Sequence, residues 1–414
     1  MESLQIGFIG SGFIAHFMAK AMKQVRHLEL TAVYDRGGAE ELARFARDNR
    51  LGECSVYDTV EEVCRHCDAV AILAPNYVRV EIMEKIADAV QKGAALKGVI
   101  CEKPLGRTIE EARRLVELAD DADLLTAYFE NQLHMNAVNN ALEQLRPQQK
   151  EMGNFSLARS TEEHAGPHNS WFWDPRKQGG GVLSDMGCHS IAVSRHILTP
   201  EGKAPDFLKP VSVQAETCLL KWGQPKYRDQ LKERFGVDYG ETPAEDFCTG
   251  LITFENPDTG QRVKAQFTDS WMYDKQGLRL SMDALGPGYA MEVNTLISPL
   301  EIFISDEAAA AVADAETALE KSTSTRGLLP VQPNEADLYG YVGEMEDMKN
   351  AFLDGKDARL DWNYGLEITR ICQAAYMAAE RQQTLDLTDP GTRDELKDYR
   401  SLIARGEGAQ VLFR

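Results

Sequence analysis

The chain has 414 residues, with 45 lysines and arginines against 65 aspartates and glutamates, a net charge of −20. That length suits two domains of ordinary size, and 43% hydrophobic and 27% charged residues is the composition of a globular protein. The negative surface repels nucleic-acid and membrane phosphates, no apolar run is long enough for a membrane span, and eight cysteines are too sparse for a disulfide scaffold.

Met1-Glu2-Ser3-Leu4 has neither a basic leader nor a cleavage site, so a cytoplasmic location is expected. Leu4 to Ile9 then reads as a strand, and Ile14, Met18, Ala21 and Met22 follow at helical spacing. Leu28 to Tyr34 is a second strand, and residues 39–49 form a helix with one polar face. Ala69 to Ala74 and Val99 to Cys101 are short apolar runs, the mark of strands buried on both faces. A charged amphipathic helix over 108–121 and a strand from Leu124 to Phe129 complete the series. This rhythm predicts an α/β Rossmann domain, a doubly wound parallel sheet, over residues 1–130.

The pattern changes over residues 131–414. A helical stretch covers 131–147, and Phe155 to Ser160 is strand-like. Val211 to Leu219, Val263 to Phe267 and Leu278 to Ala284 alternate apolar with polar residues. Strands joined without helices predict an α+β C-terminal domain with a large, mainly antiparallel open sheet. An open apolar face calls for a cover, so a homo-oligomer, dimer or tetramer, is expected through that sheet. Residues 222–245 and 306–335 read as surface excursions, and 338–354 and 364–382 return to helical patterning. Cys64-Arg65-His66-Cys67 has no second pair to make a zinc or redox site and reads as a helix end.

Gly10-Ser11-Gly12-Phe13-Ile14-Ala15 follows the first strand and opens the first helix. Gly10 permits the tight turn, Gly12 lets backbone approach a diphosphate, and Ala15 lets the helix pack on the sheet. The diphosphate would rest on the helix N-terminus, where unbonded N–H groups favour negative charge. Asp35, ending the second strand, offers a carboxylate to ribose hydroxyls and repels a 2′-phosphate, which favours NAD. Arg36 beside it can neutralise such a phosphate, so NADP stays open as the second cofactor.

Two further motifs extend the pattern. Glu102-Lys103-Pro104 follows the strand Val99 to Cys101, and Asp185-Met186-Gly187-Cys188-His189 follows Gly179-Gly180-Gly181. With the glycine loop, with Ala74-Pro75-Asn76 and with the helix after Trp362-Asn363-Tyr364-Gly365, the chain resembles the glucose–fructose oxidoreductase/inositol dehydrogenase (Gfo/Idh/MocA) family over nearly its whole length. The resemblance implies a Rossmann domain followed by an open-sheet domain, a tightly held NAD or NADP, and sugar or cyclitol substrates. It places Phe13, Ile14, Ala74, Pro75, Asn76, Glu102 and Lys103 around the cofactor.

The resemblance also gives Lys103 and His189 the proton and charge duties, with Asp185 orienting them. The chemistry is consistent: an imidazole titrates near neutrality, a lysine beside a cationic ring has a lowered pKa, and strand C-termini are where doubly wound sheets place ligands. His189 as base and Lys103 as oxyanion stabiliser is the preferred assignment, and the sequence leaves the exchanged roles open. Asp185 lies four residues before His189, which on an α-helix puts both on one face.

Regions that line the family's substrate pocket correspond to Glu130-Asn131-Gln132-Leu133-His134 and to residues 162–174. Glu130, His164, His168, Trp171 and Trp173 are the candidate substrate contacts, together with Lys103, Asp185 and His189. Arg79 stands where many members have histidine, and Glu130-Asn131 replaces a frequent arginine-containing turn, which argues against inositol or simple glucose. Glu163, His164, His168, Cys188 and His189 have no recognised zinc spacing, so no metal is expected. The expected activity is hydride transfer between a secondary alcohol of a sugar, cyclitol or glycoside and the nicotinamide. Two alternatives remain: a redox-recycling enzyme that cleaves glycosides by oxidation and elimination, and a non-enzymatic NAD-binding sensor.

Overall fold

The computed structural model describes residues 3–275, 277–296, 300–304, 327–331 and 334–414. Two compact units emerge. The first comprises Met1–Asn136, Tyr339–Arg370 and Lys397–Tyr399, and the second Ala137–Leu338, Ile371–Leu396 and Arg400–Arg414.

In the first unit six strands form one sheet: β1 (Leu4–Ile9), β2 (Leu28–Tyr34), β3 (Ser55–Val56), β4 (Ala69–Ile72), β5 (Gly98–Glu102) and β6 (Leu125–Phe129). Their order is β3-β2-β1-β4-β5-β6, every pair parallel. Chain order reverses between β1 and β4, the place where such sheets bind ligands at their carboxyl ends. β4 and β5 are buried at every residue, as their unbroken apolar runs predicted.

A division at residue 130 needs correction, because residues 339–370 return to this unit. The reason is hydrogen bonding as well as packing. The Trp362 indole donates to the Ala127 carbonyl at 3.1 Å, and the Tyr128 amide donates to the Leu360 carbonyl at 2.8 Å. Asp357 accepts from both the amide and the hydroxyl of Thr126.

The second unit holds β7 (Leu157–Glu163), β8 (Lys209–Cys218), β9 (Phe247–Glu255), β10 (Arg262–Ser270), β11 (Arg279–Gly286), β12 (Tyr289–Asn294), the separate antiparallel pair β13 (Leu300–Ile304) and β14 (Gly327–Val331), and β15 (Leu385–Asp386). The main sheet runs β12-β11-β7-β10-β9-β8-β15. It is antiparallel except where β7 pairs β10. Helix Cys188–Leu198 packs on β7 and β10. The alternation along β10 shows one face buried and the other open, and Leu251 and Leu285 stay exposed.

The 222–245 stretch is no simple surface excursion. It contains helix Pro225–Phe235 and brings Trp222, Phe235 and Tyr239 against Trp173, which also meets Trp271 edge-on at 5.1 Å. Aromatic burial of this size outweighs the polar composition of the surrounding sequence. Most of the 306–335 stretch lies outside the described residues.

Candidate functional site

The glycine loop has the geometry its composition requires. Gly10 has φ 113°, and a Cβ there would lie 2.9 Å from the Leu73 carbonyl carbon and oxygen, so only glycine fits without strain. Gly12 has an ordinary φ of −72° and nothing within 4 Å of where a Cβ would stand. Helix Phe13–Met22 begins there with no side-chain cap and no acidic residue in its first turn. An open approach onto uncapped N–H groups is what a diphosphate needs. The residues present therefore fit a dinucleotide. Ala15 is fully buried, and exposed Phe13 stacks on Phe17 at 5.9 Å. Ile14 is half-buried.

Asp35 is more than a ribose contact. Its Oδ2 accepts from the Ser11 amide at 2.8 Å and its Oδ1 from the Gly37 amide at 2.7 Å. The carboxylate braces the glycine loop and has lone pairs left for a hydroxyl. Arg36 is exposed.

After β4 the chain runs through half-buried Ala74 and Pro75 to buried Asn76, which opens a short 3-10 turn. Arg79 follows and is buried. Its guanidinium donates to the carbonyls of Ala74 (3.3 Å), Glu102 (2.6 Å), Lys103 (3.4 Å) and Pro104. The substrate-determining reading of Arg79 is thereby corrected: it ties the end of β4 to the end of β5 through backbone. The Glu102 carboxylate accepts from the Lys103 amide at 3.2 Å, so both neighbours set the path of the Lys103 loop. Lys103 is half-buried, and its bond to Pro104 is cis.

In the second unit Glu245 organises the triple glycine. This fully buried carboxylate accepts from the amides of Gly181 and Leu183, each at 3.0 Å, and from the Tyr376 hydroxyl at 2.6 Å. A Cβ at Gly181 would come within 2.2 Å of the Glu245 carbonyl oxygen. From this anchor a π-helical turn, Leu183–Gly187, leads into helix Cys188–Leu198. Asp185 belongs to that wider turn, so the α-helical spacing expected between it and His189 does not apply. Both side chains are buried. Ser190, the next residue, donates to Asp269 at 2.6 Å.

Burial pushes Glu245 up to about 7 and Asp269 up to about 8. The folded unit thus holds these protons more tightly than the unfolded chain, so these groups lower stability as pH rises from about 4 through 8. The contribution of these two groups to the urea midpoint should fall between pH 5 and pH 8. Glu245→Gln should flatten part of that fall, on the order of 3 kcal/mol at most. An unchanged slope in the variant would show that Glu245 does not titrate in this range.

The other expected contacts differ in exposure and bonding. Trp173 is 1% exposed, and its indole N–H donates to the Pro167 carbonyl. It serves the aromatic core, which corrects its reading as a ligand contact. His164 is buried, with Nδ1 accepting from the Gly166 amide at 2.9 Å, so its neutral ring carries the proton on Nε2. His168 is exposed, and half-buried Trp171 stacks on Phe172 at 3.7 Å. Glu130 is fully buried in the first unit. Glu163 bonds Ser270 and Arg279. Among the described residues no three metal-ligating side chains gather. Burial lifts the Cys64 thiol to about 12 and raises Cys67 as well, the profile of inert thiols.

Sequence reading passed over Glu245, Tyr376 and Asp269. They sit far along the chain from the motifs they support, and no local pattern marks them.

The fold and glycine loop define an NAD-binding Rossmann oxidoreductase with an added sheet domain. Residues 4–143 match the profile of the oxidoreductase family with an NAD-binding Rossmann fold, and residues 146–286 that of the GFO/IDH/MocA C-terminal domain. The chain belongs to the Gfo/Idh/MocA family. It is 28% identical to the D-glucoside 3-dehydrogenase of Escherichia coli over 61% of this chain and 67% of that one. It is 27% identical to the levoglucosan dehydrogenase of Pseudarthrobacter phenanthrenivorans over 48% of this chain and 52% of that one. The crystal structure of GenD2 from gentamicin A biosynthesis, in complex with NAD, shares the fold with a TM-score of 0.70 at 21% identity, covering 94% and 97% of the two chains.

Proposed function

We propose that this protein is an NAD(H)-dependent dehydrogenase that oxidises a secondary alcohol of a sugar, cyclitol or glycoside, or runs the reverse reduction. The observation that carries it is the glycine loop: open space at Gly12 above an uncapped helix start, leading across the same sheet to a lysine held at the end of β5. The named activities of the Escherichia coli and Pseudarthrobacter relatives support a carbohydrate-like substrate.

A bound nicotinamide supplies hydride acceptance. The chain's own groups then have two tasks. His189, oriented by Asp185, takes the hydroxyl proton as the C–H bond breaks. Lys103 stabilises the developing oxyanion through its ammonium. Arg79 and the Glu102 carboxylate keep the Lys103 backbone in place, so the side chain meets the reacting oxygen with little reorganisation.

The test is a panel of sugars, cyclitols and glycosides assayed for NADH formation and for bond cleavage. NADH accumulating with a ketone product supports the proposal. Cleavage without NADH, or silence on every class in both directions, overturns it. With the best substrate, NAD should be preferred over NADP by about tenfold or more, since a 2′-phosphate loses a charge-assisted hydrogen bond at Asp35 and meets its charge. A preference for NADP would assign that contact to Arg36.

The open face of the seven-stranded sheet supports self-association. It presents exposed Leu285 and Leu251, the latter in a groove also lined by Gln214, Thr249 and Gln266. Light scattering on the eluting protein should give a multiple of 46.1 kDa, and a monomer at all concentrations would remove this reading.

A further inference from the structure

Three carboxyl groups meet inside the first unit beside Lys103. Glu102 ends β5, Glu130 follows β6 directly, and Glu344 lies in the first turns of helix Tyr341–Leu353. That helix is pressed onto the turn Asn131–His134: Gly340 has φ 91°, a Cβ there would stand 2.1 Å from the Asn131 carbonyl oxygen, and the Asn131 amide group donates to the Tyr339 carbonyl at 2.7 Å. Glu344 is thereby held 3% exposed, Glu130 0% and Glu102 8%. Neither carboxylate oxygen of Glu344 has a hydrogen-bond partner. Burial, then Glu102, then Glu130 raise its pKa well above the ordinary value, which favours the protonated form.

The surrounding charges do not relieve it. Arg79, the fixed cation at this strand end, is bonded to carbonyls. His134 on the adjoining turn is neutral, pushed down to about 3 by burial and Arg359. On the helix itself Lys349 donates to the Arg26 carbonyl, and Asp347 accepts from the Arg359 amide. Helix Phe13–Met22, which also packs there, brings His16, lowered chiefly by burial, and exposed Lys20. β6 brings Tyr128. Lys103 is the titratable cation of the same strand end.

A dinucleotide lying across this sheet puts its adenosine half at β1 and β2, where the glycine loop and Asp35 are. Its nicotinamide half falls on the β4 and β5 side, where Glu102 ends its strand. The oxidised ring is a cation and the reduced ring is neutral.

We propose that Glu344, with Glu102 and Glu130, is a counter-charge for the oxidised nicotinamide, releasing a proton when NAD+ binds and keeping it when NADH binds. The carboxyl O–H breaks, the proton passes to solvent, and no electrons move. Glu344 thus makes the unit discriminate between the redox states of its cofactor. The inference rests on NAD being the cofactor.

The test is calorimetric titration of the full-length protein with NAD+ and with NADH, at pH 7 in phosphate and in Tris, whose different protonation enthalpies count protons exchanged. NAD+ should release up to about one proton more than NADH. NAD+ affinity should rise about tenfold from pH 6 to 8, while NADH affinity stays level. Glu344→Gln should remove at least about half of the proton difference and flatten the pH dependence. Equal proton counts for the two cofactors in the wild type overturn the inference without needing the variant. So does an unchanged difference in a Glu344→Gln protein that binds NADH. Failure of both NAD+ and NADH to bind overturns the cofactor reading itself, and this proposal with it.

Discussion

Lys103→Met should lower turnover by roughly 10²- to 10⁴-fold, the range for a group that handles charge or protons in the transition state. NADH binding should change far less. The reason lies in how the loop is held. Arg79 bonds the carbonyls of residues 102 to 104, and Glu102 accepts from the Lys103 amide. These bonds use backbone, Arg79 and Glu102 atoms and not the lysine ammonium, so they survive its removal. Turnover with the best substrate and a fluorescence titration with NADH, on the same preparation, separate the two effects. Wild-type turnover would overturn the role of Lys103, and an equal loss in NADH affinity would make it a cofactor-holding residue instead.

Gly12→Val should weaken NADH binding by about 100-fold or more, the equivalent of about 2.7 kcal/mol, while the protein stays folded. A side chain at Gly12 meets nothing in the folded chain within 4 Å, and its φ of −72° suits any residue. The new branches would instead occupy the approach to the helix start. The cost to folding is the poorer N-cap, about 1 kcal/mol, or no more than about 4 °C in Tm. Gly10→Ala makes the contrast: its φ of 113° and the Leu73 carbonyl 2.9 Å from the added carbon charge the substitution to stability. Thermal melts beside NADH titrations distinguish them. Unimpaired binding in Gly12→Val would mean that no diphosphate lies over that turn.

The sequence by itself determined whatever repeats locally. Five of the six strands of the first sheet, three of the helices between them and the glycine loop were legible, because burial on a sheet imposes runs and alternations a few residues long; the two-residue β3 and helices Val60–Arg65 and Arg79–Gln91 were not read. So were four of the seven strands of the second unit's open sheet and the placing of Lys103 at a strand end. Distant partners were not legible. Arg79 is marked in the sequence by its position alone, and only folding shows it bonded to four carbonyls. Trp173 reads well as a ligand contact until tertiary packing buries it among aromatics, and only folding turns His164 Nδ1 onto the Gly166 amide. Glu245 and Glu344 reach the glycine run and the Lys103 strand end from far along the chain. A side chain's neighbours across such separations depend on how whole elements dock, and periodicity records which face of an element is buried without recording what lies against it.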